Sequence, residues 1–540
     1  MKFLRIAFPG LVVLAVVSLV TWAARAPLNE RSGAPKPDSL DFSATDELNQ
    51  ALQAAWDKEG LQAPEPADDL QVLRRLSLAL HGTLPSLEEL REFEADAEPD
   101  KLARWTQRML ADVRFGDYFA ERLTRIYIGT DNGAFVIFRR GRFVEWLSEQ
   151  LHNNERYDEI VRTMISAEGL WTDAPEVNFI TGAMIQDEDE KNYVDVNKLT
   201  GRVARAFLGQ RIDCAECHDS KFDDWLQSEF QGLAAFFGQS EVSIAGVEEK
   251  SETTYEVEDR DTLEKRVVEP QVPFHPEWLP KTGTRRERLA GWVTHAENRR
   301  FERAIANRVW GLMFGRAWFP KVDDLPDPSE DGSRDVLDIL GADFREHNYD
   351  LRRLIGQIAA SKAFRASSHT SSDDAELTER LEKNWALFPL TRLRPEQVIG
   401  SMLQASSIRT IDQNSHLLVR TIRLLRENDF ISEYGDLGEN ELDEHAGTIP
   451  QALLRMNGKF ATEMTEVNLL NASGRIESMS STSEKCVESC FLVCLTRRPT
   501  KAEYAHFTKQ FEGATKEERQ AVVEDLFWSL YNSPEFSWDH

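Results

Sequence analysis

Apolar residues recur every three or four positions through most of the chain from Ala44 onward, and that spacing leaves helix packed on helix as the available architecture. In "LQVLRRLSLALHGTLPSLEELREFEAD" the residues Leu70, Leu73, Leu76 and Leu80 fall on one stripe; Gly82 breaks it, and Ser86 stands as an N-cap before Glu88 and Glu89. The same period runs through "KLARWTQRMLADVRFGDYFAERLTRIYIG", "RFVEWLSEQLHNN", "YDEIVRTMISAEG" and "NYVDVNKLTGRVARAFLGQ", the last of which delivers the chain to Cys214. Between 239 and 276 the pattern changes to Val, Thr and Glu with partial alternation, which reads as a small antiparallel β insertion or an irregular connector. Helical spacing resumes in "RRERLAGWVTHAENRRFERAIANRVWGLMFGRAWF" and continues through "DLRRLIGQIAASKAF", "RPEQVIGSMLQAS" and "AVVEDLFWSLYNSPEF". The expectation is a mainly α protein: two helical domains, 44–238 and 277–540, joined by a small β-rich or irregular insertion at 239–276. No repeat of fixed period supports a solenoid.

Charge narrows the partners. With 64 basic against 92 acidic side chains the net charge is −28, which repels phosphate backbones, so no nucleic-acid partner is expected. The N-terminus, "MKFLRIAFPGLVVLAVVSLVTWAARAPLNERSG", sets basic Lys2 and Arg5 before an apolar run and a small-residue Ala24-Arg25-Ala26 stop. Residues 1–26 therefore read as an export signal, either cleaved or retained as a single N-terminal membrane anchor. Residues 27–43, rich in Pro, Ser and charge, read as a linker. The expected location is outside the cytoplasmic membrane: periplasmic, extracellular, or tethered to the membrane from outside.

"CAECHDSKFDD", residues 214–224, contains two of the five cysteines, followed at once by a histidine. Covalent haem attachment needs two thiols to add across the vinyl groups and an imidazole to reach the iron, which Cys-x-x-Cys-His supplies in five residues. Random placement of five Cys and eleven His would produce this pentad in on the order of one such chain in a thousand. Cys214 and Cys217 are thus the candidate attachment residues, and His218 the candidate iron ligand, for one covalent haem c. Three other readings stay open. A structural zinc site wants a second knuckle, which is missing; a redox pair should open a helix in a βαβ context; a plain Cys214–Cys217 disulfide fits an oxidising compartment.

Elsewhere the signals are weaker. Cys486, Cys490 and Cys494 fall four apart on one helical ridge, and a buried stripe of small residues is a better reading than three thiolates around a metal. Met164, Met184 and His152 are formally available as a second axial ligand. The acidic pairs in "QDEDEKNYVDVN" and "PKVDDLPDPSEDGS" read as solvated faces rather than as a general acid and base, which leaves a hydrolase the weakest option. No Gly-rich phosphate loop and no Gly-x-Ser-x-Gly elbow occurs.

Taken in order, "LRRLSLALHGTLPSLEEL", "NERYDEIV", "FLGQRIDCAECHDSKFDDW" and "LAAFFGQS", followed by "RRERLAGWV", "NRRFERAIANRVWGLMFGRAWFPKVDDL", "RLRPEQVI", "LTRRPTKAEY" and "LYNSPEF", resemble the secreted proteins that join a planctomycete-type cytochrome-c-like domain to a companion C-terminal domain of unknown function. The resemblance runs from about Asp69 to Phe536. It implies a cytochrome-c-like helical domain over 44–238, a C-terminal helical domain of unknown function over 277–540, and haem held through Cys214, Cys217 and His218. The family's usual motif continues Cys-His-Asp-His-Lys-Phe-Asp-Pro; here Ser220 replaces the second histidine and Asp224 the proline. Electron transfer with a small electron-carrier protein is the leading expectation, and the resemblance adds a secreted sulfatase-like partner. An open distal side would also permit peroxide or oxygen chemistry, so enzyme status is undecided. The rival is a non-redox secreted scaffold or polysaccharide-associated binding protein with a Cys214–Cys217 disulfide.

Overall fold

The computed structural model describes residues 42–540 apart from 132–137, 187–191, 222–223, 244, 259–262, 330–332, 413–414, 416–429, 432, 436, 439–441, 443–446 and 469–470. Residues 1–26, expected to form an export signal or membrane anchor, lie outside the described residues. Among those described, no helix is long and apolar enough to cross a membrane.

The fold is mainly α. Helix α1 (Ser43–Glu59) starts at the last residue of the expected linker and buries Leu48, Leu52 and Trp56, one turn apart. Helix α2 (Asp69–His81) is capped by Asp68, which accepts from the Gln71 amide, and stops at Gly82. There φ is +67° and an added Cβ would stand 2.4 Å from the Tyr118 ring, so only glycine fits. Helix α3 (Leu87–Ala95) begins with the expected Ser86 cap, completed as a reciprocal box with Glu89. The long periodic run that follows is two helices, α4 (Lys101–Ala111) and α5 (Val113–Ile128). Asp112 ends the first, and its side chain caps the second by accepting from the Arg114 amide. Helix α5 packs along α6 (Arg140–His152), and α7 (Tyr157–Ser166) follows. Strands β1 (Met184–Gln186) and β2 (Asn192–Val194) pair antiparallel before α8 (Val196–Val203), and α9 (Gln227–Ala234) follows the cysteine motif.

The expected β insertion consists of two separate antiparallel ladders, β3 (Ser240–Ser243) with β4 (Gly246–Glu249) and β5 (Glu256–Glu258) with β6 (Lys265–Val267). Helices α10 (Arg285–Val293) and α11 (Arg299–Phe314) come next, with the periodic run interrupted over 294–298. They are followed by α12 (Val336–Glu346), α13 (Leu351–Ala360), α14 (Ala375–Lys383) and α15 (Pro395–Ala405). The C-terminal part adds α16 (Ile449–Asn457), α17 (Lys459–Thr465), α18 (Ala472–Met479), α19 (Ser483–Leu495), α20 (Lys501–Gln510) and α21 (Lys516–Tyr531). Strand β7 (Thr391–Arg392) pairs with β8 (Trp538–Asp539).

Packing continues across the connector. Helix α11, buried from Phe301 to Phe314, touches α2, α12, α13 and the turn after α8, so one apolar core joins Leu73, Phe115, Tyr157 and Phe207 to Trp310, Ile355 and Trp385. A second core around α15, α19 and α21 takes Leu78 and Leu84 from the N-terminal part. Cys486, Cys490 and Cys494 are buried there as the expected stripe, and burial pushes the Cys490 and Cys494 thiols well up. Two buried arginines on α2 tie distant segments together. The Arg75 Nε donates to the His540 carbonyl (2.8 Å), and its Nη1 to those of Phe364 (2.8 Å) and Ala366 (2.7 Å). The Arg74 Nη2 donates to the Glu535 carbonyl at 3.0 Å.

Candidate functional site

The route to the cysteine motif is set by one irregular turn. After α8 the helix widens into a single π turn over Ala204–Leu208, where the Arg308 guanidinium takes the Arg205 carbonyl at 2.8 Å. Gly209 stops the turn at φ +61°, where a Cβ would lie 2.8 Å from the Leu325 side chain. The Leu325 amide donates to the Gly209 carbonyl (2.8 Å), and the Gln210 Nε2 donates to the Leu325 carbonyl (2.9 Å). The base of the motif is thus pinned by a loop from beyond the connector.

Asp213–Glu216 then form a 3₁₀ turn. Ala215 in its middle is fully buried and anchors it, while Cys214 and Cys217 on either side are exposed and free. The exposed His218 ring places Nδ1 2.7 Å from the Asp219 carbonyl. A carbonyl only accepts, so Nδ1 carries the proton in the neutral ring and Nε2 keeps its lone pair for a metal. The structure thus brings the three residues expected from sequence onto one solvent-facing turn.

A polar frame around the turn was not foreseen from the sequence. The Asp219 carboxylate accepts from the Gln227 amide at the start of α9 (2.9 Å), and the Gln227 Nε2 donates to the Glu216 carbonyl (3.3 Å). Glu216 also accepts from the Asn197 Nδ2 (3.2 Å), and the Asn197 Oδ1 accepts from the Tyr255 hydroxyl (3.0 Å). Burial, aided by Glu216 and Asp195, pushes the Tyr255 hydroxyl up to about 12, so it stays a donor. The frame joins segments as far apart as α8 and the residue before β5, and no local pattern announces such pairings. Asp213 is paired with Arg211 at 3.3 Å. Lys221 is exposed; Phe222 and Asp223 lie outside the described residues.

Of the formal second ligands, Met164 is fully buried in the core, His152 is buried on α6, and Met184 is half-buried at the start of β1. None enters the hydrogen-bonded frame of the turn. The acids of "PKVDDLPDPSEDGS" that are described serve ion pairs: Asp323 with Arg308, Asp327 with Arg300, and Asp324 with Lys321 at 3.7 Å. Asp195 caps α8. Among the described residues no group of three or more His, Cys, Asp or Glu is placed to hold a metal ion unaided. Haem iron makes no such demand, because the porphyrin supplies four of its ligands and the protein one or two. Two free thiols on one turn, available for thioether attachment, beside an imidazole with an open Nε2 for the iron therefore fit that group.

Residues 47–242 match the PSCyt2 family model, described as a protein of unknown function (DUF1549), and residues 285–418 match PSD1, likewise a protein of unknown function (DUF1553). The turn lies inside the first match, and Leu325, which pins its base, inside the second. No curated protein and no solved structure matches the chain.

Proposed function

We propose that Cys214–His218 is the attachment site of one covalent haem c and that the protein is an exported, cytochrome-like electron-transfer protein. The observation that carries this reading is the turn itself: two free, exposed thiols flanking a buried alanine, next to a histidine whose Nδ1 is already engaged. Cys214 and Cys217 would hold the group through thioethers, and His218 Nε2 would ligate the iron. When bound, haem c supplies a one-electron iron couple. The Asp219 carbonyl fixes the imidazole's orientation and raises its basicity as a ligand. Glu216 and Asp219, held by Asn197 and the Gln227 amide, place negative charge beside the site, which favours the oxidised over the reduced form. A small electron-carrier protein is the partner this implies. Export, with the N-terminal segment cleaved or kept as an anchor, and a secreted sulfatase-like partner rest on the sequence and on the resemblance.

A second reading draws on the same exposure: two accessible thiols on one turn can close a disulfide in a non-redox scaffold. The test is to express the full chain in a host with export and cytochrome-maturation systems, then stain denatured protein for haem and record its visible spectrum. Covalent haem, one per chain, is the expected result. A folded, colourless product with the Cys214–Cys217 pair oxidised would replace the first reading with the second.

A further inference from the structure

Away from the cysteine turn, the end of α1, the loop before α2, the first turn of α4 and the segment after α13 enclose a cleft of about 520 Å³. That is the size range of small-molecule sites. Pro64, Pro66, Val72 and Leu102 line it with apolar surface, and two cations, Lys362 and Arg365, share the lining. Its rim is preformed: the Ala67 amide donates to the Arg365 carbonyl at 3.0 Å, and Pro66 bridges to Ala366.

The guanidinium of Arg365 is the unusual part. It is half-buried, its Nε reaches the Ala359 carbonyl only at 3.4 Å, and its terminal nitrogens make no hydrogen bond to a side chain or carbonyl among the described residues. Other well-covered arginines use their terminal nitrogens, either on carboxylates, as Arg114 does on Glu89 at 2.6 Å, Arg303 on Asp335 at 2.8 Å and Arg353 on Asp343 at 2.7 Å, or on backbone carbonyls, as Arg75 does on Phe364 and Ala366 and Arg352 on His152. The acid nearest in the cleft, Asp69, is engaged by Lys101 at 2.7 Å, and Lys362 reaches only the neutral Gln53 at 3.2 Å. Burial lowers the Arg365 pKa while Asp69 and Asp100 oppose it, so the charge there lacks a direct counter-ion. In a chain of net charge −28 a cation left this way is out of keeping with its surroundings.

We infer that this cleft binds a small organic carboxylate with an apolar body. The carboxylate fork pairs with the guanidinium fork, Lys362 adds a second positive charge, and the apolar body lies on the proline, valine and leucine wall. The site is independent of the cysteine turn and of any haem.

The test titrates the full-length protein with 2-naphthoate and octanoate, and with the matching neutral alcohols, by calorimetry and saturation-transfer NMR. The expected result is saturable binding of the acids at one site, roughly tenfold tighter than the alcohols and weakened by salt. Arg365→Gln should lose roughly tenfold in affinity, and Arg365→Lys should recover part of it. Lys362→Glu, at an exposed position that does not threaten folding, should weaken acid binding and leave the alcohols unaffected. No saturable binding by either acid, equal affinity for acid and alcohol, or indifference to both Arg365→Gln and Lys362→Glu would overturn the assignment.

Discussion

Single side chains on the cysteine turn separate its chemistry from its stability. On the haem proposal, Cys217→Ala leaves at most one thioether and His218→Ala removes the iron ligand, whereas Cys490→Ala leaves haem content untouched and costs about 1 kcal/mol from the core it vacates. Haem stain and pyridine spectra on the three variants check this, and loss of covalent haem in Cys490→Ala would mean that the wrong thiols were chosen. His81 offers a test that needs no cofactor. It is buried beside Arg114 with its Nε2 3.0 Å from the Met109 carbonyl, and burial, then Arg114, push its pKa down to about 4. The unfolded chain takes up this proton near pH 6.5 and the folded chain only near 4. Stability is therefore fully present above about 6.5 and declines as pH falls toward 4, at up to ~1.4 kcal/mol per pH unit. Denaturant midpoints between pH 7 and 5 should fall for the wild type and fall less for His81→Gln; equal slopes would contradict the assignment. At this scale the pentad was legible because five consecutive residues carry its chemistry. The proton on His218 Nδ1 was not, since it depends on how the backbone turns the neighbouring Asp219 carbonyl toward the ring, and neither were the frame from Asn197 and Tyr255 nor the unmatched Arg365, which depend on how distant segments come together.

Elements were legible where their signals are local. The Leu70–Leu80 stripe, the stop at Gly82 and the Ser86 cap all appear as expected, and Ser86→Ala should cost about 1 kcal/mol by removing the bond to the Glu89 amide. It also breaks a 2.8 Å contact between the Ser86 and Thr410 hydroxyls, so chemical denaturation should place the loss at or above that figure. The division between α4 and α5 was missed because Asp112 sits inside an unbroken apolar period and acts as a cap only once the chain bends there. The π turn before the cysteines was missed for a different reason. Its cause is tertiary: Arg308 claims the Arg205 carbonyl, and Leu325 closes over Gly209. Gly209→Val should accordingly cost roughly 2–4 kcal/mol through left-handed strain and collision with Leu325. On the haem proposal it should also lower haem incorporation, measured as haem per folded chain. Full incorporation in a destabilised Gly209→Val protein would show that the turn does not position the thiols.

At the scale of the molecule, the mainly helical class was legible from periodicity, but the sharing of one core across the connector was not, because α11 carries no mark of which helices it will touch. The acidic surface makes a prediction of its own. Removal of residues 1–26 would take three basic residues and no acid, leaving the chain more negative still. On the electron-transfer proposal, stopped-flow reduction by a small basic carrier should be faster than by an acidic one, with the difference shrinking as salt shortens the screening length to about 10 Å at 0.1 M. Rates indifferent to carrier charge and salt would leave the acidity a matter of solubility. The grip of Arg74 and Arg75 on residues near 540 bears on biosynthesis. Their acceptors lie 461 and 465 residues downstream, so at ribosomal speeds α2 waits on the order of a minute before these contacts can form. Until then two guanidiniums destined for the interior remain in water, and the N-terminal half is held short of its native packing. On the export proposal, such a delay suits a chain that has to stay threadable through a secretion pore, and folding would be released only when the distal segment arrives.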